Sequence, residues 1–148
     1  MRFIPIFLLA FLLLNCGKDN FTTTPQLIYK SVSARTISGN QTLIIEMDLT
    51  DKEGDFTPLL GMKKTVLGCP TSNFIDSVTF TIPDEFIKTK GGRGEVNVIL
   101  DRIKRGSNSC FLPGGSIRPD TTVYSFWTRD KAGHVSDTAR TETIVILN

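Results

Sequence analysis

Histidine and tryptophan are nearly missing from this chain: its 148 residues hold one of each, His134 and Trp127. Any Ser-His or Cys-His catalysis would have to pass through His134. That residue follows Asp130-Lys131-Ala132-Gly133, turn-forming sequence in which an imidazole is expected to be solvated. The HExxH, Walker A and GxSxG patterns do not occur, and Gly91-Gly92-Arg93-Gly94 lacks the Lys-Ser/Thr of a phosphate loop. Nothing in the spacing of the 15 acids singles out a catalytic pair, and an enzyme is not expected. Charge of one sign is also lacking, with 17 basic side chains against those 15 acids. The footprint of a nucleic-acid binder is therefore absent. The clusters at 88–93 and 102–105 read as solvated loops. No apolar run reaches the roughly 20 residues of a membrane-spanning helix.

One shorter apolar run is present. Arg2 precedes residues 3–14 (FIPIFLLAFLLL), and Leu13-Leu14-Asn15-Cys16 follows at once. Length and flanks are those of a secretory signal, with an uncleaved anchor or a plain signal peptide as alternatives. The sequence LLNC resembles the lipobox of bacterial lipoproteins, with Asn15 in place of the usual small residue. That resemblance implies removal of residues 1–15, lipidation of Cys16 and a membrane partner reached through the acyl chains. A single buried chain holds only marginally, whereas two or three make attachment permanent. Residues 16–24 then form a polar tether. Within it, Gly17-Lys18-Asp19-Asn20 resembles the export signal of Bacteroidetes surface lipoproteins, with Asn20 where a second acid would stand. The expected address is the outer membrane of a bacterial envelope, facing either the surface or the periplasm.

With Cys16 assigned to lipid, two of the three cysteines remain. An oxidising envelope allows Cys69 and Cys110 to form a disulfide. In the chain-entropy model, closing a loop of roughly 40 residues contributes about 4 kcal/mol. Two buried free thiols are the alternative.

Residues 25–148 read as one domain of short strands. Leu27–Val32 opens the set, and Thr42–Thr50 alternates most clearly, with Leu43, Ile45, Met47 and Leu49 on one face. Ser77–Ile82 places Val78, Phe80 and Ile82 inward, and Glu95–Ile103 does the same for Val96, Val98 and Leu100. Thr121–Arg129 and Glu142–Leu147 complete the pattern. Residues 57–68 are ambiguous, with a short strand around Lys64–Leu67, and Asp84–Lys88 allows one helical turn. About seven such strands predict an all-β fold, a two-sheet antiparallel sandwich. Asp120-Thr-Thr-Val-Tyr124-Ser-Phe126 and Asp130-Lys-Ala-Gly133-His134-Val-Ser136 resemble the last strands of bacterial immunoglobulin-like or fibronectin type III-like domains, with His134 replacing the usual Asn. Asp51-Lys52-Glu53-Gly54-Asp55-Phe56 resembles a second-strand exit in Bacteroidetes lipoproteins of that kind. The resemblance implies a buried tyrosine corner at Tyr124, its hydroxyl bonded to backbone, and carries no activity with it.

Two candidate sites follow. In a seven-stranded sandwich, the loops after the second and sixth strands share one end. Asp51, Glu53 and Asp55 would there approach Asp130, a set of hard oxygens suited to calcium. The competing account is that Asp-Lys-Glu-Gly and Asp-Lys-Ala-Gly are simply good turns. Otherwise no cofactor is expected. The second candidate is Trp127, sent outward beside Ser125 and Arg129 when Tyr124 and Phe126 point inward. An exposed indole can anchor a protein or stack on a sugar. The expected function is accordingly a non-enzymatic envelope binding module with a protein partner. The alternative is a glycan-binding lipoprotein of a polysaccharide uptake system. Asp76-Ser77-Val78, Asp120-Thr121-Thr122 and Asp137-Thr138-Ala139 also match the Bacteroidetes O-glycosylation sequon.

Overall fold

A computed structural model describes residues 22–38, 40–68, 76–81, 92–101 and 119–147. Cys16, Cys69, Cys110, Ile82, Ile103 and the helical turn expected at 84–88 lie outside them. The described residues form nine strands and no helix: β1 (Gln26–Val32), β2 (Thr36–Ile37), β3 (Leu43–Thr50), β4 (Phe56–Val66), β5 (Asp76–Thr81), β6 (Arg93–Leu100), β7 (Asp120–Asp130), β8 (Ala139–Arg140) and β9 (Ile144–Ile146).

One sheet runs β1-β3-β6; the other runs β2-β9-β7-β4-β5, with β8 also paired to β7. This is the strand order of an immunoglobulin-like sandwich, in which the first, second and fifth strands face the third, sixth and seventh. Every pairing is antiparallel except β2 on β9. The first strand of the fold is split: β1 belongs to one sheet, and β2 crosses to the edge of the other.

Period-2 alternation builds the core. Leu43, Ile45, Met47 and Leu49 of β3 are fully buried, and β7 answers with Tyr124 and Phe126. Leu60 and Met62 of β4, with Ile37, Ile144 and Ile146, complete one continuous apolar cluster spanning both sheets. Phe126 has no exposed surface; truncating so large a core side chain costs about 3–5 kcal/mol. Tyr124 is buried as expected, and burial pushes its hydroxyl up to about 12. The neighbouring Thr122 side chain acts in the opposite direction.

Three expectations change. The ambiguous stretch is β4, a full eleven-residue strand. Its signal is blurred by Pro58, which sits in a register shift between Phe56 and Leu60, one of the few places a strand tolerates proline. Lys64 blurs it further: it replaces an apolar inward residue and lies 3.8 Å from the buried carboxylate of Asp120. Second, Val78 is exposed, because β5 pairs only with β4 and forms the sheet edge. Third, the expected strand at 142–147 shortens to β9, with the two-residue β8 and a single bridge between Arg129 and Val135 ahead of it.

Between these pieces, side chains continue the ladder. The Tyr124 N–H donates to Thr141 Oγ1 at 3.1 Å, and the Thr128 N–H to Ser136 Oγ at 3.0 Å. Both hydroxyl residues are buried, so each replaces a backbone carbonyl that the irregular strand cannot present. Thr141→Val leaves the Tyr124 N–H unpaired and is expected to lower unfolding free energy by about 1–3 kcal/mol in urea titration. Thr143→Val, at an exposed position on the same segment, is expected to change it by less than about 0.5 kcal/mol.

Candidate functional site

At one end of the sandwich, β3 leads through residues 51–55 into β4, and β7 leads into the turn at 131–134. Sheet geometry brings these loops together. Asp51, Asp55 and Asp130 each offer a carboxylate oxygen, and all three oxygens lie within 4.8 Å of one another. Three of the four acids expected here thus meet. Glu53 is exposed and contributes instead its backbone N–H, which donates to Asp51 Oδ1 at 3.1 Å.

Each acid is held by its surroundings. The Asp51 N–H donates to the Gly92 carbonyl at 2.6 Å, and the Lys131 N–H to the Asp55 carbonyl at 3.0 Å. Gly92 has φ 64°, and a Cβ there would stand 1.5 Å from the Asp51 carbonyl oxygen. No other residue fits without moving the loop. Asp130 accepts the His134 N–H on Oδ1 at 2.8 Å and the His134 ring Nδ1 on Oδ2 at 2.6 Å. Gly133, at φ 97°, closes that turn. The turn chemistry read from Asp-x-x-Gly is present at both places, since Gly54 also has φ 65°.

The electrostatics of the acids differ. Asp51 has no exposed surface, and its Oδ2 is buried without a hydrogen-bond partner. Burial, opposed by the Glu53 N–H and reinforced by the charges of Asp55 and Glu53, pushes its carboxyl up to about 6. Burial acts on Asp130 in the same direction, but the His134 ring and backbone donors outweigh it and hold that carboxyl below its usual value. Among the described residues, no hydroxyl or thiol bonds the second ring nitrogen of His134.

Trp127 occupies the outer face of the six-stranded sheet, partly exposed, directly opposite Gly61 in the register. The indole lies across that glycine: a Cβ on Gly61 would come within 2.3 Å of the ring. Hollows of about 310 Å³ and 410 Å³ flank it. Thr57, Thr79 and Arg129 edge one hollow; Ser125, Thr138 and Arg140 edge the other. Leu59 and Leu67 stand beside them, 50% and 45% exposed. Of the glycosylation candidates, Thr138 is exposed and Thr121 partly so. Sequence reasoning found Trp127 but missed Gly61 and Gly92. Their roles depend on partners distant in the chain, and no local signal marks them.

No family model matches the sequence, and the search of curated proteins gives no match. Solved structures offer distant likenesses. A β-glucosidase from Listeria innocua in complex with gluconolactone aligns over 89% of this chain and 17% of its own, at TM-score 0.43 and 11% identity. The same enzyme with glucose aligns over 84% and 16%, at TM-score 0.42 and 10% identity. The CARDB domain of a Pyrococcus furiosus protein, in complex with di-metal ions, aligns over 84% and 96%, at TM-score 0.34 and 8% identity. The chain thus spans about a sixth of the glucosidase, and these likenesses carry no argument about activity.

Two outcomes follow from this geometry. Asp51 is about 6 in the folded state against 3.8 unfolded, so the folded state binds its proton more tightly between those values. That contribution to stability is complete below about pH 4 and lost as pH rises through about 6. In metal-free buffer, the melting midpoint of the native chain is expected to fall across that window relative to Asp51→Asn, in which the carboxyl is gone. Separately, Gly61→Ala is expected to dislodge the indole while the fold survives. As Trp127 is the sole tryptophan, its emission should shift to the red with an unchanged far-ultraviolet circular dichroism spectrum.

Proposed function

We propose that this chain is a lipid-anchored protein of a bacterial outer membrane, a non-enzymatic module that binds a protein partner on the outer face of its six-stranded sheet. One observation carries the reading: Trp127 is seated on Gly61 between two hollows. A rigid aromatic body with a polar N–H is the residue type that most often anchors a protein interface. Seating it on a glycine limits its rotamers before any partner arrives, which lowers the ordering cost of binding. Exposed Leu59 and Leu67 extend the apolar surface around it. The anchor rests on the lipobox-like sequence ending at Cys16, with a polar tether to carry the sandwich clear of the lipid.

A second reading is favoured by the rim of the hollows. Threonine and serine hydroxyls with Arg129 and Arg140 surround the indole, and such groups also hydrogen-bond a sugar ring stacked on an aromatic face. The exposed leucines favour protein over glycan, because a sugar gives them nothing apolar to meet.

The experiment is paired. A photo-crosslinking residue placed at Leu67 in living cells is expected to capture one envelope protein, with the cross-link lost in Trp127→Ala. A glycan-array signal that disappears in Trp127→Ala would instead promote the glycan reading. No Trp127-dependent binding in either format would defeat both. For the anchor, Cys16→Ala is expected to move the protein from the membrane to the soluble fraction, and retention in the membrane would contradict it.

A further inference from the structure

We propose that Asp51, Asp55 and Asp130 form a binding site for a hard divalent cation, calcium, at one end of the sandwich. The acidic cluster alone would not carry this. The decisive observation is Asp51 Oδ2, buried without a donor in a side chain that has no exposed surface. Turn chemistry accounts for the other oxygen, which takes the Glu53 N–H, and leaves Oδ2 unexplained. A buried carboxylate lacking a partner is among the costliest groups a fold can hold. Here it sits with two further carboxylates within 4.8 Å. Among the described residues, no lysine or arginine lies in ion-pair range of Asp51 or Asp55, and the His134 ring meets only the third acid, Asp130.

A bound cation resolves all of this at once. It supplies the missing partner of Oδ2 and converts mutual repulsion of the acids into shared attraction. The donors are carboxylate oxygens only, with no thiolate or ring nitrogen in the set, which selects a hard ion over zinc or copper. Calcium binds oxygens at about 2.3–2.6 Å, so ligands on opposite sides of the ion lie about 4.6–5.2 Å apart; magnesium would require about 4.2 Å or less. All three oxygens lie within 4.8 Å of one another, inside the reach of one calcium ion, whose flexible geometry suits ligands drawn from two loops.

The site is also braced as metal sites usually are. His134 fixes the Asp130 carboxylate from behind through two hydrogen bonds, the outer support that ligating carboxylates commonly have. Gly92 and Lys131 hold the backbone of Asp51 and Asp55. Waters and carbonyls would complete the coordination. Three carboxylates in an extracellular module correspond to a dissociation constant of about 0.1–1 mM.

The test uses the full-length chain, purified in mild detergent and stripped with EGTA. Calcium at about ten times that constant is expected to raise the melting midpoint by roughly 5 °C, with magnesium giving a clearly smaller shift. Asp51→Asn is expected to melt higher than the native chain in EGTA, because the buried charge is gone, and to lose the calcium response. Asp55→Asn, at a partly exposed position, serves as the second variant and should lose the response as well. An unchanged midpoint in the native chain overturns the proposal. A calcium shift that persists in both variants places the ion elsewhere and overturns it too, and an equal shift with magnesium overturns the assignment to calcium.

Discussion

The alternation of side chains along β7 is the constraint on which the rest of the molecule depends. Asp120, Thr122, Tyr124, Phe126, Thr128 and Asp130 all point inward and are buried. The intervening residues face the outer surface, where Trp127 lies. The central pair, Tyr124 and Phe126, packs against the apolar stripe of β3 and locks the two sheets together. One end of the same inward row delivers Asp130 to the acidic cluster, and the other delivers Asp120 to Lys64. Because the period is two, a slip of one residue would exchange the faces and abolish core, cluster and tryptophan seat together.

Much of this was legible in the sequence where local pattern and tertiary role agree. Thr42–Thr50 alternates most clearly, and the structure places Leu43, Ile45, Met47 and Leu49 inside while Ile44 stays on the exposed face. The meeting of Asp51 and Asp55 with Asp130 was legible as well, since sandwich topology puts their loops at one end. The signal failed where distant partners decide. β4 carries Pro58 in a bulge, Gly61 under an indole and Lys64 beside Asp120, so its apolar period is broken three times for reasons found on other strands. Val78 alternates correctly, but alternation does not reveal that its strand is an edge. The final strand fragments because Ser136 and Thr141 replace carbonyls with hydroxyls, a substitution that sequence presents only as ordinary loop composition. Glu53 resembles its acidic neighbours on paper; its placement follows from the turn that uses its N–H.

The sandwich separates two kinds of surface. The acidic end is tight, braced by short backbone hydrogen bonds and a glycine that leaves no room for a side chain. The outer face of the large sheet is shallow and mixed, with one aromatic group, exposed leucines and polar rims. The proposed binding role would draw on both qualities: loops fixed in place, and a face whose anchor is ordered before contact. The buried Asp51 carboxyl runs against stability in isolation, and such exceptions to good packing concentrate where a fold meets a ligand.

The most direct test of the account is the register between β4 and β7, measured by inter-strand nuclear Overhauser contacts in isotope-labelled protein. Met62 opposite Phe126 and Lys64 opposite Tyr124 are the pairs the structure requires. Contacts between those backbones would sustain both the tryptophan seat and the acidic cluster. Contacts displaced by one residue would place Trp127 in the core and contradict the account.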